Sequence, residues 1–80
     1  MPNMTMKRLP SDLPRAKVLR AVRRLGFVFH REGSRHTIYE DPTDPTRLLA
    51  IPRHSRIKRD LLRGILSGLG VTEEEFMQRY

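Results

Sequence analysis

Apolar residues recur with a helical period in the first third of the chain. They fall on one face of a helix at five positions: Pro14, Val18, Ala21, Val22 and Leu25. Basic residues occupy much of the remaining surface, so the spacing predicts a short amphipathic helix. Ser11 or Asp12 is the expected N-cap, Pro14 suits the first helical turn, and Gly26 is the expected C′ residue.

The apolar period then shortens to that of β-strands. Residues 27–31 and residues 35–40 are dense in aromatic and β-branched side chains, which predicts two strands. Residues 41–45 contain two prolines and predict a turn-rich loop. A third strand is expected over residues 47–51, with Pro52 ending it. Short connections favour antiparallel pairing of these strands.

The helical period returns in the last third of the chain. A second amphipathic helix is expected after a Ser55 cap, with an apolar face formed by Ile57, Leu61, Leu62, Ile65, Leu66 and Leu69. Thr72 and Glu75 have the spacing of a capping box, which predicts a short third helix from Glu73.

The order helix, three strands, helix, short helix defines the expected fold class. We expect an α+β fold with an α-β-β-β-α core and a short C-terminal helix. The two amphipathic helices cover one face of the three-stranded antiparallel sheet and leave the other face open. This arrangement resembles the double-stranded-RNA-binding fold, which reads RNA shape and phosphates. Residues 1–10 are expected to be a poorly ordered leader, and residues 11–80 a single domain.

Composition narrows the classes of function. The chain has no cysteine, which excludes disulfides and thiolate zinc sites and fits a reducing cytoplasm. No apolar run is long enough for a transmembrane helix, so we expect a soluble protein without a membrane partner. Acidic residues do not cluster with histidines at metal-ligand spacing, so neither a metal nor another cofactor is expected.

The charge balance points to a polyanionic partner. The chain has 16 Lys and Arg residues against 9 Asp and Glu residues, a net charge of +7, and 13 of the basic residues are arginine. The planar arginine fork binds phosphate bidentately, so this balance favours nucleic acid. Solubility alone stays open as a reason for the charge.

The segment Gly33-Ser34-Arg35-His36 is the strongest candidate for a functional site. Gly33 tolerates a positive φ and Ser34 can bond nearby backbone, so the two predict a tight turn before the second strand. RNA carries its own nucleophile, the 2′-hydroxyl, and its cleavage needs a proton acceptor and positive charge near the phosphate. His36 beside Arg35 meets that requirement, although the same sequence is equally compatible with a surface histidine that has no catalytic role.

Two further histidines and several basic residues have open assignments. His30 is either a polar strand residue or a cross-strand neighbour of His36, and His54 either meets phosphate or caps backbone before the second helix. Basic residues at the start of that helix oppose its dipole, which suggests phosphate binding as much as a solvated face. The candidate RNA- or phosphate-binding residues are Ser34, Arg35, Arg53, His54, Lys58 and Arg59.

Several short motifs, taken in order, resemble one family. They are Gly33 to His36, Pro52-x-His54, the predicted helix from Ile57 to Gly70, the junction Leu25-Gly26-Phe27, and the ending Gly70-Val71-Thr72-Glu73-Glu74-Glu75-Phe76. In this order and spacing the chain resembles the HicA toxins, small mRNA interferases, from about residue 9 to residue 76.

The resemblance implies a fold and a mechanism. HicA toxins have a double-stranded-RNA-binding-like fold and cleave mRNA without a metal, using one histidine that corresponds to His36. Gly33 and Ser34 match the turn before that histidine, and His54 matches a second common position. A HicB antitoxin that covers the active site is the implied partner. Arg35 departs from the histidine or asparagine common at its position, which bears on phosphate contacts.

Strand alternation gives the resemblance a structural test. His36, Ile38 and Glu40 share one face of the predicted strand, and Thr37 and Tyr39 share the other. An open face at His36 requires either a partly exposed Ile38 or a bulge. The alternatives to a ribonuclease toxin are a non-catalytic RNA-binding module of the same fold and a small DNA-binding or ribosomal protein.

Overall fold

A computed structural model describes residues 8–80, which form five strands and three helices. In chain order these are β1 (Asp12–Pro14), α1 (Arg15–Arg24), β2 (Val28–Glu32), β3 (His36–Asp41), β4 (Asp44–Pro52), β5 (Arg56–Lys58), α2 (Arg59–Gly68) and α3 (Glu73–Arg79). The three predicted strands correspond to β2, β3 and β4, and the predicted helices to α1, α2 and α3.

β3 lies at the centre of an antiparallel sheet with strand order β2-β3-β4. His36, the first residue of β3, lies opposite Pro52, the last residue of β4. Asp41 lies opposite Asp44 at the other end of this hairpin. With α1 before the sheet and α2 after it, the predicted α+β class and its α-β-β-β-α order are confirmed.

β1 and β5 form a second, two-stranded antiparallel sheet that the sequence did not predict. Leu13 in β1 lies opposite Ile57 in β5, and both side chains are fully buried. This pairing joins the segment before α1 to the segment before α2, although more than forty residues separate them in sequence.

The caps predicted for the two amphipathic helices are wrong. Ser11 precedes β1 and Asp12 belongs to it, and the N-cap of α1 is Pro14. Ser55 likewise precedes β5, and the N-cap of α2 is Lys58. Among the described residues, no side chain caps either helix.

Backbone groups replace these side-chain caps. The backbone N–H of Arg15, at the start of α1, donates to the carbonyl oxygen of Ser55 at 2.9 Å. The N–H of Arg59, at the start of α2, donates to the carbonyl oxygen of Ser11 at 3.0 Å. Each helix therefore has one of its free N-terminal donors satisfied by the segment that precedes the other helix.

The capping box predicted for α3 is present. The backbone N–H of Glu75 donates to Thr72 Oγ1 at 3.0 Å, and the N–H of Thr72 donates to Glu75 Oε1 at 2.8 Å. α3 begins at Glu73 as expected, because this cap depends on residues three positions apart.

The turn between β3 and β4 is tighter than the predicted loop over residues 41–45. Asp41 Oδ1 accepts a hydrogen bond from the backbone N–H of Thr43 at 2.8 Å, which reverses the chain so that β4 begins at Asp44. Pro45 is tolerated inside β4 because this strand lies at the edge of the sheet.

The hydrophobic core receives side chains from both sheets and all three helices of residues 8–80. Its fully buried members include Leu13, Val18, Val22, Ile51, Ile57, Leu62 and Phe76. Leu9 is also buried, with 1% of its surface exposed, so the packed domain includes a residue two positions before the expected start. Residues 1–7 of the expected leader lie outside the described residues.

Candidate active site

His36 is exposed on the open face of the central strand. Thr37 and Tyr39 are 3% and 4% exposed and face the core, so alternation along β3 places His36, Ile38 and Glu40 on the opposite face. Ile38 is partly exposed there, as an open face requires. His36 therefore lies on the solvent-exposed face of the sheet.

The turn before His36 brings two backbone segments very close together. The N–H of Gly33 donates to the carbonyl oxygen of His36 at 2.7 Å. A Cβ on Gly33 would lie 3.2 Å from that oxygen. The φ of Gly33 is not positive, contrary to the expectation. Glycine is favoured here by the close approach of backbone, not by an unusual φ.

Arg53 holds this turn from the end of the neighbouring strand. Its Nη1 donates to the carbonyl oxygen of Ser34 at 3.0 Å, and its Nη2 donates to the carbonyl oxygen of Gly33. Nε and Nη2 both contact Glu32 Oε1, at 3.2 and 2.7 Å. The backbone N–H of Arg53 also donates to the carbonyl oxygen of Arg35 at 3.3 Å. One side chain and its amide therefore contact four consecutive residues before His36.

Glu32 is in turn connected to α1 through Thr37. The buried Thr37 hydroxyl donates to both carboxylate oxygens of Glu32, at 3.0 and 3.2 Å. Arg15 donates from Nη2 to that hydroxyl and from Nε to the carbonyl oxygen of Pro52, the latter at 3.0 Å. The hydrogen bond from Arg53, followed by that from Thr37, holds the pKa of the Glu32 carboxyl below its usual value.

The remaining predicted residues divide into two groups. Ser34 and Arg35 are exposed on the turn itself, and His54 is exposed directly after Arg53, so these three lie beside or near the His36 turn. Lys58 and Arg59 lie instead where β5 meets α2. Within residues 8–80, no hydrogen bond or strand pairing connects those two to the turn.

Arg59 and Lys58 have different surroundings. Arg59 Nε donates to the carbonyl oxygens of Leu9 and Pro10, at 2.9 and 3.2 Å, and so holds the first described residues against the domain. Lys58 is exposed, opposite Asp12 in the β1–β5 sheet. Of the two, Lys58 has the more accessible charge.

His30 is the bulge residue of β2. Phe29 and Arg31 pair with consecutive residues of β3, which leaves His30 outside the ladder. Its Nδ1 lies 2.8 Å from Glu40 Oε1, so its partner is four positions along β3 from His36. His30 is therefore a polar residue paired elsewhere and is not a cross-strand neighbour of His36.

Three residues around the turn were not predicted from sequence: Arg15, Glu32 and Thr37. Glu32 and Thr37 flank the predicted turn symmetrically, and they are cross-strand partners in the structure, so the hairpin register could have paired them. Arg15 gave no such signal, because it was counted with the basic outer face of α1.

The described residues contain neither a cluster of metal ligands nor a membrane-spanning helix. Within residues 8–80, no group of three or more His, Asp or Glu side chains is close enough to hold a metal ion. In the same part of the chain, every helix is too short or too polar to cross a bilayer.

The three-stranded antiparallel sheet and the helices define a double-stranded-RNA-binding-like α+β domain. The sequence model of the HicA toxin of bacterial toxin–antitoxin systems matches residues 15–71, and the chain belongs to this family. It is thus a toxin of a toxin–antitoxin system, and a cognate antitoxin is its implied partner. A search of curated protein sequences gave no match. The matched range contains the His36 turn, Arg53 and His54.

Proposed function

We propose that the protein is an endoribonuclease that cleaves messenger RNA, with His36 as its catalytic histidine and without a metal ion. The observation that carries this proposal is the position of His36, exposed at the first residue of a central strand and next to a turn held on both sides by hydrogen bonds. Membership of a toxin family supports a destructive activity.

The chemistry needs little more than this histidine. Neutral His36 accepts the proton of the RNA 2′-hydroxyl while the 2′-oxygen attacks the adjacent phosphorus and the bond to the 5′-oxygen breaks. His36, now protonated, then gives this proton to the leaving 5′-oxygen. Histidine suits both steps because it changes charge near neutral pH. The products are a 2′,3′-cyclic phosphate and a 5′-hydroxyl.

Arg35 is the proposed source of positive charge for the phosphate. It is exposed on the turn immediately before His36, and within residues 8–80 its guanidinium has no hydrogen-bond or ion-pair partner. Ser34, which precedes Arg35, and His54, which follows Arg53, are proposed to contact the RNA backbone. Lys58 and Arg59 would extend the basic surface, with Lys58 the more accessible of the two. A net charge of +7 supports attraction of a polyanion.

A HicB-type antitoxin is the proposed inhibitor, and it would cover the open face of the sheet. Val28 and Leu48 are 43% and 49% exposed, and both lie opposite Glu40 on the His36 face. Exposed apolar side chains grouped on one sheet face favour a protein partner. Messenger RNA and such a partner meet in the cytoplasm, which is the proposed location.

Replacing His36 with alanine tests the catalytic assignment. Purified parent, His36→Ala and His30→Ala proteins are incubated with a 5′-labelled messenger transcript in EDTA. His36→Ala should lose cleavage by roughly 10²–10⁴-fold, since general acid–base catalysis is removed, and should retain its affinity for the transcript. His30→Ala, the matched control, should cleave like the parent. Cleavage by His36→Ala at the parent rate, or dependence of the parent on added metal, would contradict the proposal.

One observation favours a second candidate, a non-catalytic RNA-binding module. Leu25, Phe27 and Arg47 line a pocket that does not include His36, whereas His36 is exposed on the face of the sheet. Enzyme sites are usually concave. The two candidates separate in cells, because a pure binding module leaves messenger RNA intact when its expression is induced.

A further inference from the structure

We propose that Arg53 and Glu32 form a clamp that positions the turn carrying His36, with Thr37 and Arg15 fixing the carboxylate of Glu32. This inference rests on the proposed function, because it assigns positioning residues to the same catalytic histidine. It also gives Arg53 a role different from the phosphate contact expected from sequence.

The hydrogen bonds of Arg53 support a structural use of its charge. Each of its three guanidinium nitrogens donates to Glu32 or to a carbonyl oxygen of Gly33 or Ser34. The adjacent carboxylate neutralises the guanidinium charge and repels a phosphate. An arginine so engaged is a poor phosphate ligand but a well-ordered support for backbone.

The clamp acts on the backbone immediately before His36. His36 lies opposite Pro52, and Arg53 is the next residue along the same strand end. Arg53 contacts the turn from outside the hairpin, while the bond from Gly33 N–H to the His36 carbonyl closes it from inside. Ser34 and Arg35, which lie between Gly33 and His36, are exposed. The turn is therefore held by these hydrogen bonds and not by packing of its own side chains.

The other end of the clamp is anchored in the domain. Thr37 is buried next to His36, and its hydroxyl lies between Glu32 and Arg15. Arg15 begins α1 and also contacts the Pro52 carbonyl at the end of β4. The network therefore joins α1, the turn and all three strands of the β2-β3-β4 sheet. Hydrogen bonds from Arg53 first and from Thr37 second lower the pKa of the Glu32 carboxyl, so the network stabilises its ionised form.

Steady-state cleavage and RNA binding together test the clamp. Arg53→Lys keeps the charge but not the fork, and Glu32→Gln keeps the shape but not the charge. With a 5′-labelled transcript, each variant should show a kcat lowered roughly 10- to 100-fold and an unchanged KM, since a small displacement of a catalytic group acts on the chemical step. The double variant should be no worse than the poorer single variant, because both remove one unit.

Arg47→Lys is the matched control. Arg47 also contacts a carboxylate and a backbone carbonyl, those of Asp41 and Leu69, both at 2.6 Å, but at the opposite end of the β3–β4 hairpin. This variant should keep the parent kcat. Hydrogen exchange of the Gly33 amide should accelerate in the clamp variants and not in Arg47→Lys, which reports the turn without any reference to activity.

The sign of the Glu32→Gln effect separates positioning from phosphate contact. Removing a negative charge beside a polyanion should strengthen RNA binding and leave kcat intact if Arg53 contacts phosphate. Arg53→Gln would then weaken binding and reduce the salt slope of the affinity by about 0.7. These affinities are measured in the His36→Ala background, where the transcript stays intact. Either result in place of a lowered kcat overturns the clamp.

The two proposals fail in different ways. If His36→Ala is inactive while Arg53→Lys and Glu32→Gln cleave like the parent, the clamp is wrong and the catalytic assignment stands. If His36→Ala still cleaves, the catalytic assignment is wrong whatever the clamp variants do. Should an Arg53 variant fail to fold, as judged by thermal unfolding, the isosteric Glu32→Gln variant decides.

Discussion

Replacing Gly33 with alanine adds one methyl group, which should affect the stability of the protein and its activity differently. A Cβ there would lie 3.2 Å from the His36 carbonyl oxygen, so the backbone of His36 must move slightly to admit it. The φ of Gly33 is compatible with other residues, and alanine also restricts the unfolded chain, which is worth about 0.4–1 kcal/mol. In the free energy of unfolding, the strain in the folded backbone and the lowered entropy of the unfolded chain therefore oppose each other. In catalysis nothing offsets the displacement of His36.

For Gly33→Ala we expect kcat to fall roughly 3- to 10-fold because His36 is displaced. The melting temperature should change by only a few degrees, since the two stability effects oppose each other. Calorimetry and transcript cleavage on one preparation measure both. Gly68→Ala, at an open position in α2, is the control for glycine replacement. A large loss of stability with unchanged kcat would contradict this prediction.

At the scale of single residues, the sequence predicted the candidate histidine but not the residues that hold the turn before it. The Gly33-Ser34-Arg35-His36 order is local and was visible directly. The contacts of Arg53 were not, because a positive charge suits phosphate or a carbonyl oxygen equally well and only the fold brings it to the carbonyls of Gly33 and Ser34. Thr37 and Glu32 gave no chemical signal at all, although their hairpin register connects them.

At the scale of elements, helix ends show what local sequence can determine. The start of α3 was predicted correctly because Thr72 and Glu75 cap each other within one turn. The starts of α1 and α2 were not, because their first N–H groups bond to Ser55 and Ser11, distant in sequence. Period and composition were sufficient for the three helices and for β2, β3 and β4, but not for β1 and β5, which pair across more than forty residues of sequence.

The α3 cap gives a stability prediction. Thr72→Ala removes the hydroxyl that accepts from Glu75 N–H, and should lower the free energy of unfolding by about 1 kcal/mol. In a domain of this size that corresponds to a fall of roughly 4–8 °C in melting temperature. Glu74→Ala, an exposed change in the same turn, should shift it much less. Equal melting temperatures for Thr72→Ala and the parent would show that the cap contributes nothing.

At the scale of the whole molecule, carboxylates with lowered pKa values in several parts of the fold make the stability of the protein depend on pH. Hydrogen bonds from Arg53, Thr43 and Arg63, respectively, are the largest causes that lower the pKa of Glu32, Asp41 and Glu73. The folded protein then binds fewer protons than the unfolded chain in acid. The stability from these carboxylates is complete above their ordinary pKa values and is lost as the pH falls through the lowered ones.

We therefore expect a nearly constant melting temperature from about pH 5.5 to pH 8 and a fall below about pH 4.5. Glu73→Gln should make that fall shallower, because its charged contact with Arg63 at 2.6 Å no longer titrates. Melting curves at half-unit pH steps measure the slope, with Glu74→Gln as the matched control. A slope for Glu73→Gln as steep as that of the parent would exclude a contribution from this pair.

The reciprocal bonding of the two helix starts bears on how the protein is made. A ten-residue helix such as α1 is marginal by itself in water, and one of its N-terminal partners, the Ser55 carbonyl, is synthesised forty residues later. Arg53 comes equally late. A nascent chain that has emerged only as far as β4 thus contains His36 but neither the support of its turn nor the docked start of α1. We therefore expect the candidate site to form on the ribosome only after the chain has emerged at least as far as Ser55.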